Sequence, residues 1–196
     1  MLFDLIGTLV SLLSTYYFMR LNNKAWPLGM IATVINGGLY WHKGIYADMF
    51  LELCYFLSMC YGWHLWQRKH RLDPDNTSHR LSTLTGKQWL LLLLILCCVF
   101  VVIHYLLQTL SDSNVAFLDA ASTSLSLVAQ WLMCHKIIIT WLLWFITDTL
   151  YAFMYLSKDL PFHCGLMLIY IGMALTGYLL WLRQAQMAGE QKAVSL

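Results

Sequence analysis

The chain has 196 residues, 60% of them hydrophobic and only 11% charged, with a formal net charge of +2 and a mean hydropathy of +0.62. That composition excludes a soluble globule, and so small a charge says little about partners, although no nucleic acid is expected among them. The apolar runs reach the roughly 20 residues that a helix needs to cross a bilayer, and alternating ten-residue barrel strands are absent, so the expected class is an all-α membrane protein.

Seven transmembrane helices are expected, near 2–19, 26–42, 47–67, 88–108, 118–135, 139–157 and 162–182. The N-terminal run MLFDLIGTLV lacks the basic region of a cleavable signal and carries Asp4, so it is expected to stay as the first span. Loops are short except 68–87, and a soluble tail follows residue 182. Lys and Arg divide unevenly between the two ends of these spans. One side collects Arg20, Lys24, Arg68, Lys69, Arg71, Arg80, Lys87, Lys136, Arg183 and Lys192, and the other keeps only Lys43 and Lys158. Under the positive-inside rule this sets the N-terminus outside and the C-terminus in the cytoplasm.

Sliding the chain by 115 residues aligns Asp4 with Asp119, Trp26 with Trp141, Tyr40 with Tyr155 and Lys43 with Lys158. The same offset pairs Tyr55 with Tyr170, Gly62 with Gly177, Trp66 with Trp181 and Arg68 with Arg183. Such matches at one constant spacing are hard to obtain by chance in leucine-rich segments. They imply a 3+1+3 arrangement: a first three-helix repeat (1–67), a cytoplasmic loop and linker helix (68–117), a second repeat (118–182) and a cytoplasmic tail (183–196). The single linker span reverses direction, so the two triple-helix repeats are expected to be parallel. That is one of the architectures in which transporters hold substrate near the midplane.

Polar residues form lines inside the spans. Trp141, Trp144, Asp148, Tyr151 and Tyr155 fall on one helical face; Glu52, Tyr55 and Trp63 follow one another along the third span; Asn36 and Gln130 lie on the second and fifth. Ser, Thr, Asn and Gln at such depths ordinarily join helices, each contributing about 0.6 kcal/mol. Glu52 and Asp148 are different, because an ionisable group at membrane depth is costly and marks a substrate or ion path. With no Lys or Arg inside the spans, their expected partner is an external cation or a proton. Aromatic rings beside acids suit a flat cationic ring, held by charge and cation–π attraction. The expected substrate contacts are therefore Glu52, Asp148, Trp63, Trp141, Trp144, Tyr151, Tyr55, Asn36 and Gln130. The six cysteines form no CxxC or Cys/His pattern, and neither HExxH nor GxSxG occurs, so no metal, no cofactor and no enzyme activity is expected.

The stretches YADMFLELCYFLSMCYGWHLW (46–66) and LDAASTSLSLVAQWLMCHKIIITWLLWFITDTLY (118–151) resemble the PnuC family of vitamin transporters, which is related to the SWEET sugar transporters. The resemblance covers nearly the whole chain. It implies a homotrimer in the bacterial inner membrane that takes up its vitamin by facilitated diffusion, with metabolic trapping by phosphorylation. In the family branch that carries nicotinamide riboside, a glutamine stands at the position of Glu52 and an asparagine at that of Asp148. A carboxylate only accepts hydrogen bonds, whereas an amide also donates. The two acids thus point to the thiamine-type (PnuT-like) branch and to thiamine, whose aminopyrimidine donates and whose thiazolium is cationic. Nicotinamide riboside, also cationic, is the alternative substrate, and a proton-coupled vitamin carrier is the alternative mechanism.

Overall fold

Long apolar runs with few breakers wind into seven helices among the described residues. A computed structural model describes residues 2–44, 46–72, 81–110, 116–157 and 161–194. The helices are α1 (Leu2–Met19), α2 (Ala25–Lys43), α3 (Tyr46–Leu72), α4 (Gly86–Leu110), α5 (Ala116–Cys134), α6 (Thr140–Ser157) and α7 (Pro161–Val194). Pro27 and Pro161 lie in the first turns of α2 and α7, where a missing N–H costs no intrahelical bond. Every expected span falls on one of these helices to within a residue, but α7 runs on to Val194 where a tail was expected after 182. Its extension is rich in Ala, Gln, Met, Glu and Lys, all strong helix formers, and contains no proline.

Gly86–Thr109 and Phe162–Ala188 are each long and apolar enough to cross a membrane, and Leu5–Met19 is a shorter apolar helix. The remaining helices trade apolar side chains for the polar lines described above. The chain divides into two compact units, one of Met1–Leu81, Met133–Lys136 and Leu179–Leu196, the other of Ser82–Leu132 and Ile137–Tyr178.

In the first unit α1 packs on α2 and α2 on α3. Phe18, Trp26 and Trp66 meet edge to face, with ring centroids 4.7 Å (Phe18–Trp26) and 5.2 Å (Trp26–Trp66) apart. Gly62 lies directly beneath the Trp26 indole, so closely that a Cβ there would overlap the ring. The Trp66 indole N–H donates to the Cys134 carbonyl at 3.0 Å, and the Trp181 N–H donates to the Phe18 carbonyl at 3.2 Å. Two helix-terminal carbonyls are satisfied in this way. Lys136 is buried with its ammonium 4.4 Å from the centroid of the Trp66 ring, a cation–π contact.

The second unit has a core of Leu92, Val128, Ala129, Leu132 and Leu143, against which Leu84, Leu96, Leu125, Ile137, Ile139 and Trp144 pack. Trp141 is 2% exposed and its indole covers Gly177, where a Cβ would sit 2.6 Å from the ring. The outward face of α4 is apolar and exposed, including Leu90, Leu94, Val101 and Val102.

The offset of 115 recurs in local geometry. After α1, the Asn22 N–H reaches the Tyr17 carbonyl and the Leu21 N–H reaches the Phe18 carbonyl, both at 3.0 Å. After α5, the Ile137 N–H reaches Leu132 and the Lys136 N–H reaches Met133, both at 3.1 Å. Leu21 (φ 52°) and Lys136 (φ 56°) both take the left-handed conformation of a Schellman cap. That conformation costs a non-glycine residue about 1–2 kcal/mol, which burial of both side chains offsets. A second correspondence exchanges donor and acceptor. Ser14 donates to the Ala25 carbonyl at 2.8 Å, and Thr140, the counterpart of Ala25, donates to the carbonyl of Ala129, the counterpart of Ser14, at 2.7 Å. Removing either hydroxyl, as Ser14→Ala or Thr140→Val, is expected to cost about 1 kcal/mol. Thermal unfolding in detergent should show a drop of a few degrees (~3 °C). Thr149→Val, whose exposed hydroxyl bonds only within its own helix, should not shift it.

Candidate functional site

Two acids stand out from the buried surfaces, one in each unit. In the first unit α2 and α3 bring Asn36 and Glu52 together, and the Asn36 amide donates a hydrogen bond to the Glu52 carboxylate. Glycines make room for that pair. Gly7 on α1 faces the Asn36 side-chain oxygen too closely for any Cβ, and a Cβ at Gly37 would lie 3.6 Å from that of Glu52. Glu52 is half-buried, and Asp48, one turn earlier on α3, is exposed. Like charges at that spacing repel, so a cation near them is favoured. Tyr55 is half-buried, and its backbone carbonyl accepts from Ser58 at 2.8 Å. Trp63 is exposed.

In the second unit Asp148 is 9% exposed on α6. Thr147 beside it is fully buried, but its hydroxyl is already bonded to the Leu143 carbonyl at 2.9 Å. Tyr151, one turn further on, is half-buried and stacks on Tyr155 with centroids 6.2 Å apart and planes 21° from parallel. Tyr155 in turn lies 5.2 Å from the His163 ring of α7. Gln130 is buried on α5, alongside Ser122 and Ser124, whose hydroxyls donate back to carbonyls of their own helix. Trp141 and Trp144 share the helical face of Asp148 by spacing, yet one covers Gly177 and the other packs on the leucine-rich core.

The acids are not counterparts of each other. At the 115-residue offset Asp148 corresponds to Thr33 and Glu52 to Met167. Each half therefore carries its carboxylate on a different helix, α3 in one and α6 in the other. A buried carboxylate without a cationic neighbour is expensive. Each acid can hold a positive charge or accept hydrogen bonds from a ligand's N–H groups, and Asp148 has the Tyr151 and Tyr155 phenols on its own helical face. The Asn36–Glu52 bond itself was not anticipated from spacing, although both residues were singled out; no periodicity reports which two helices touch.

Comparison with known proteins bears on what that chemistry serves. A family model described as "Nicotinamide mononucleotide transporter" matches residues 1–183. The nicotinamide riboside transporter PnuC of Escherichia coli (strain K12) is 21% identical over 210 residues, covering 96% of this chain and 88% of that protein. PnuC of Shigella flexneri matches to the same extent. A crystal structure of the vitamin B3 transporter PnuC superposes with a TM-score of 0.75 at 20% identity, covering 93% of this chain and 81% of that one, which shows a common fold.

Proposed function

We propose, on the premise that this chain belongs to the nicotinamide mononucleotide transporter family, that it carries a flat, cationic heteroaromatic vitamin across the inner membrane, with nicotinamide riboside as the leading candidate. The relatives that match it are transporters and not enzymes, and those in Escherichia coli and Shigella flexneri carry nicotinamide riboside in their names. The observation that carries the reading is a sheltered carboxylate in each unit, Glu52 on α3 held by Asn36 and Asp148 buried on α6 one turn before Tyr151. A permanently charged pyridinium suits a sheltered carboxylate by its charge and an aromatic side chain by its flat face.

A second reading, thiamine, is favoured by the chemistry of those same two groups. Carboxylates only accept, and thiamine's aminopyrimidine supplies N–H donors to them. Titrating the purified protein with each vitamin while following tryptophan fluorescence separates the two readings. Saturable quenching by nicotinamide riboside, with thiamine about tenfold weaker or more, supports the first. The reverse order transfers the assignment to thiamine, and saturation by neither sinks the carrier.

In the proposed cycle the 3+1+3 carrier exposes the bound cation to each side of the membrane in turn. The 115-residue correspondence of caps and hydroxyl bonds supports a repeat of that register. Orientation with the N-terminus outside, a homotrimeric assembly, and facilitated diffusion with trapping inside belong to the same proposal. Proteoliposomes given an inward pH gradient should reach the external vitamin concentration and go no higher. Accumulation beyond it would replace diffusion by proton coupling through Glu52 or Asp148.

A further inference from the structure

We infer that Tyr151, Tyr155 and His163 form an aromatic relay that passes a flat heteroaromatic cation along the second unit to Asp148. The inference deepens the carrier reading and rests on it.

Four groups stand in order on α6 and the first turn of α7, and their exposure falls along the series. His163 is exposed, Tyr155 and Tyr151 are half-buried, and Asp148 is buried. The rings are spaced at 5.2 Å (His163 to Tyr155) and 6.2 Å (Tyr155 to Tyr151). A cation is attracted to a ring face out to about 6 Å from its centroid. A charged ring leaving one rung is therefore already within reach of the next. Asp148, Tyr151 and Tyr155 stand at i, i+3 and i+7, so the two phenols and the carboxylate share one face of α6.

The other aromatic side chains of this face serve packing: Trp141 covers Gly177 and Trp144 lies on the Leu92–Leu143 core. A relay needs rungs that bind weakly, and a phenol face attracts a cation less than an indole face does. The carboxylate at the end, buried and opposite in sign, holds it more strongly. The equivalent positions of the first repeat carry Tyr40 and Asp48 in place of Tyr155 and His163. That half offers a tyrosine and an exposed acid where the second offers stacked rings.

The test separates rate from affinity. Stopped-flow tryptophan quenching of the full chain in detergent, with whichever of nicotinamide riboside or thiamine binds, is measured for wild type, Tyr155→Leu, Tyr155→Phe and His163→Leu. The expected result is an association rate about fivefold lower in Tyr155→Leu, with dissociation slowed alike and Kd moved less than about twofold. Tyr155→Phe, which keeps the ring, should associate at the wild-type rate. His163→Leu, at an exposed position that tolerates an apolar side chain, should slow association in the same direction. Wild-type association in both leucine variants overturns the relay while leaving the carrier intact. Binding of neither vitamin by the wild type removes the carrier reading, and the relay with it.

Discussion

Gly62→Ala and Gly177→Ala are each expected to destabilise the protein by about 1–3 kcal/mol, the range found when extra methylenes are forced into a filled core. In each case the new Cβ would enter a tryptophan ring, Trp26 above Gly62 and Trp141 above Gly177. Neither ring has space to retreat. Trp26 is fully buried and wedged edge to face between Phe18 and Trp66, and Trp141 is 2% exposed. Alanine at Gly38 or Gly172 meets nothing within 4 Å. Those two variants should gain the roughly 0.5–1 kcal/mol that alanine adds to a helix over glycine. Thermal unfolding of all four in one detergent checks the contrast. Equal melting temperatures for Gly62→Ala and Gly38→Ala would show that the tryptophan–glycine contacts do not hold the helices together.

Neutralising the acids should act on binding and leave folding alone. Glu52→Gln and Asp148→Asn keep the size of each side chain and remove one negative charge. Each is expected to weaken vitamin binding by about 10–100-fold, or about 1.4–2.7 kcal/mol, as befits a charge pair sheltered from water. The larger loss is expected at Asp148, which is buried, whereas Glu52 is half-buried and shares its charge with the Asn36 amide. Melting temperatures should hold or rise, since burying an amide costs less than burying an unpaired carboxylate. Calorimetric titration reads the affinity, and unchanged values in both variants would remove the acids from the site. Under the thiamine reading, Glu52→Gln loses an acceptor for the aminopyrimidine. Under the nicotinamide riboside reading, the new amide can still pair with the carboxamide, so the loss at Glu52 should be smaller for that vitamin.

Much of this was legible before any coordinates. The helices announce themselves because a bilayer tolerates little besides long apolar helical runs. The 115-residue offset was legible because Trp26 and Gly62 recur as Trp141 and Gly177, and the structure shows why those two types pair: a large flat ring needs a residue with no side chain beneath it. The left-handed caps at Leu21 and Lys136 were not legible. Neither is a glycine or an asparagine, and burial rather than local preference holds them. Helical spacing placed Trp141, Trp144 and Asp148 on one face correctly. It carried no information on what lies opposite, and for Trp141 that is Gly177. The run of α7 to Val194 was missed because hydropathy reports where lipid ends, while a helix continues as long as its residues favour it.

Counterflow in proteoliposomes tests the carrier most directly. Vesicles holding the purified chain and loaded with unlabelled nicotinamide riboside or thiamine are diluted into a trace of the labelled vitamin. Transient accumulation of label for one of the two, abolished in the Glu52→Gln, Asp148→Asn double variant, is the predicted result. Label that never exceeds its level in empty vesicles, for either vitamin, would contradict it.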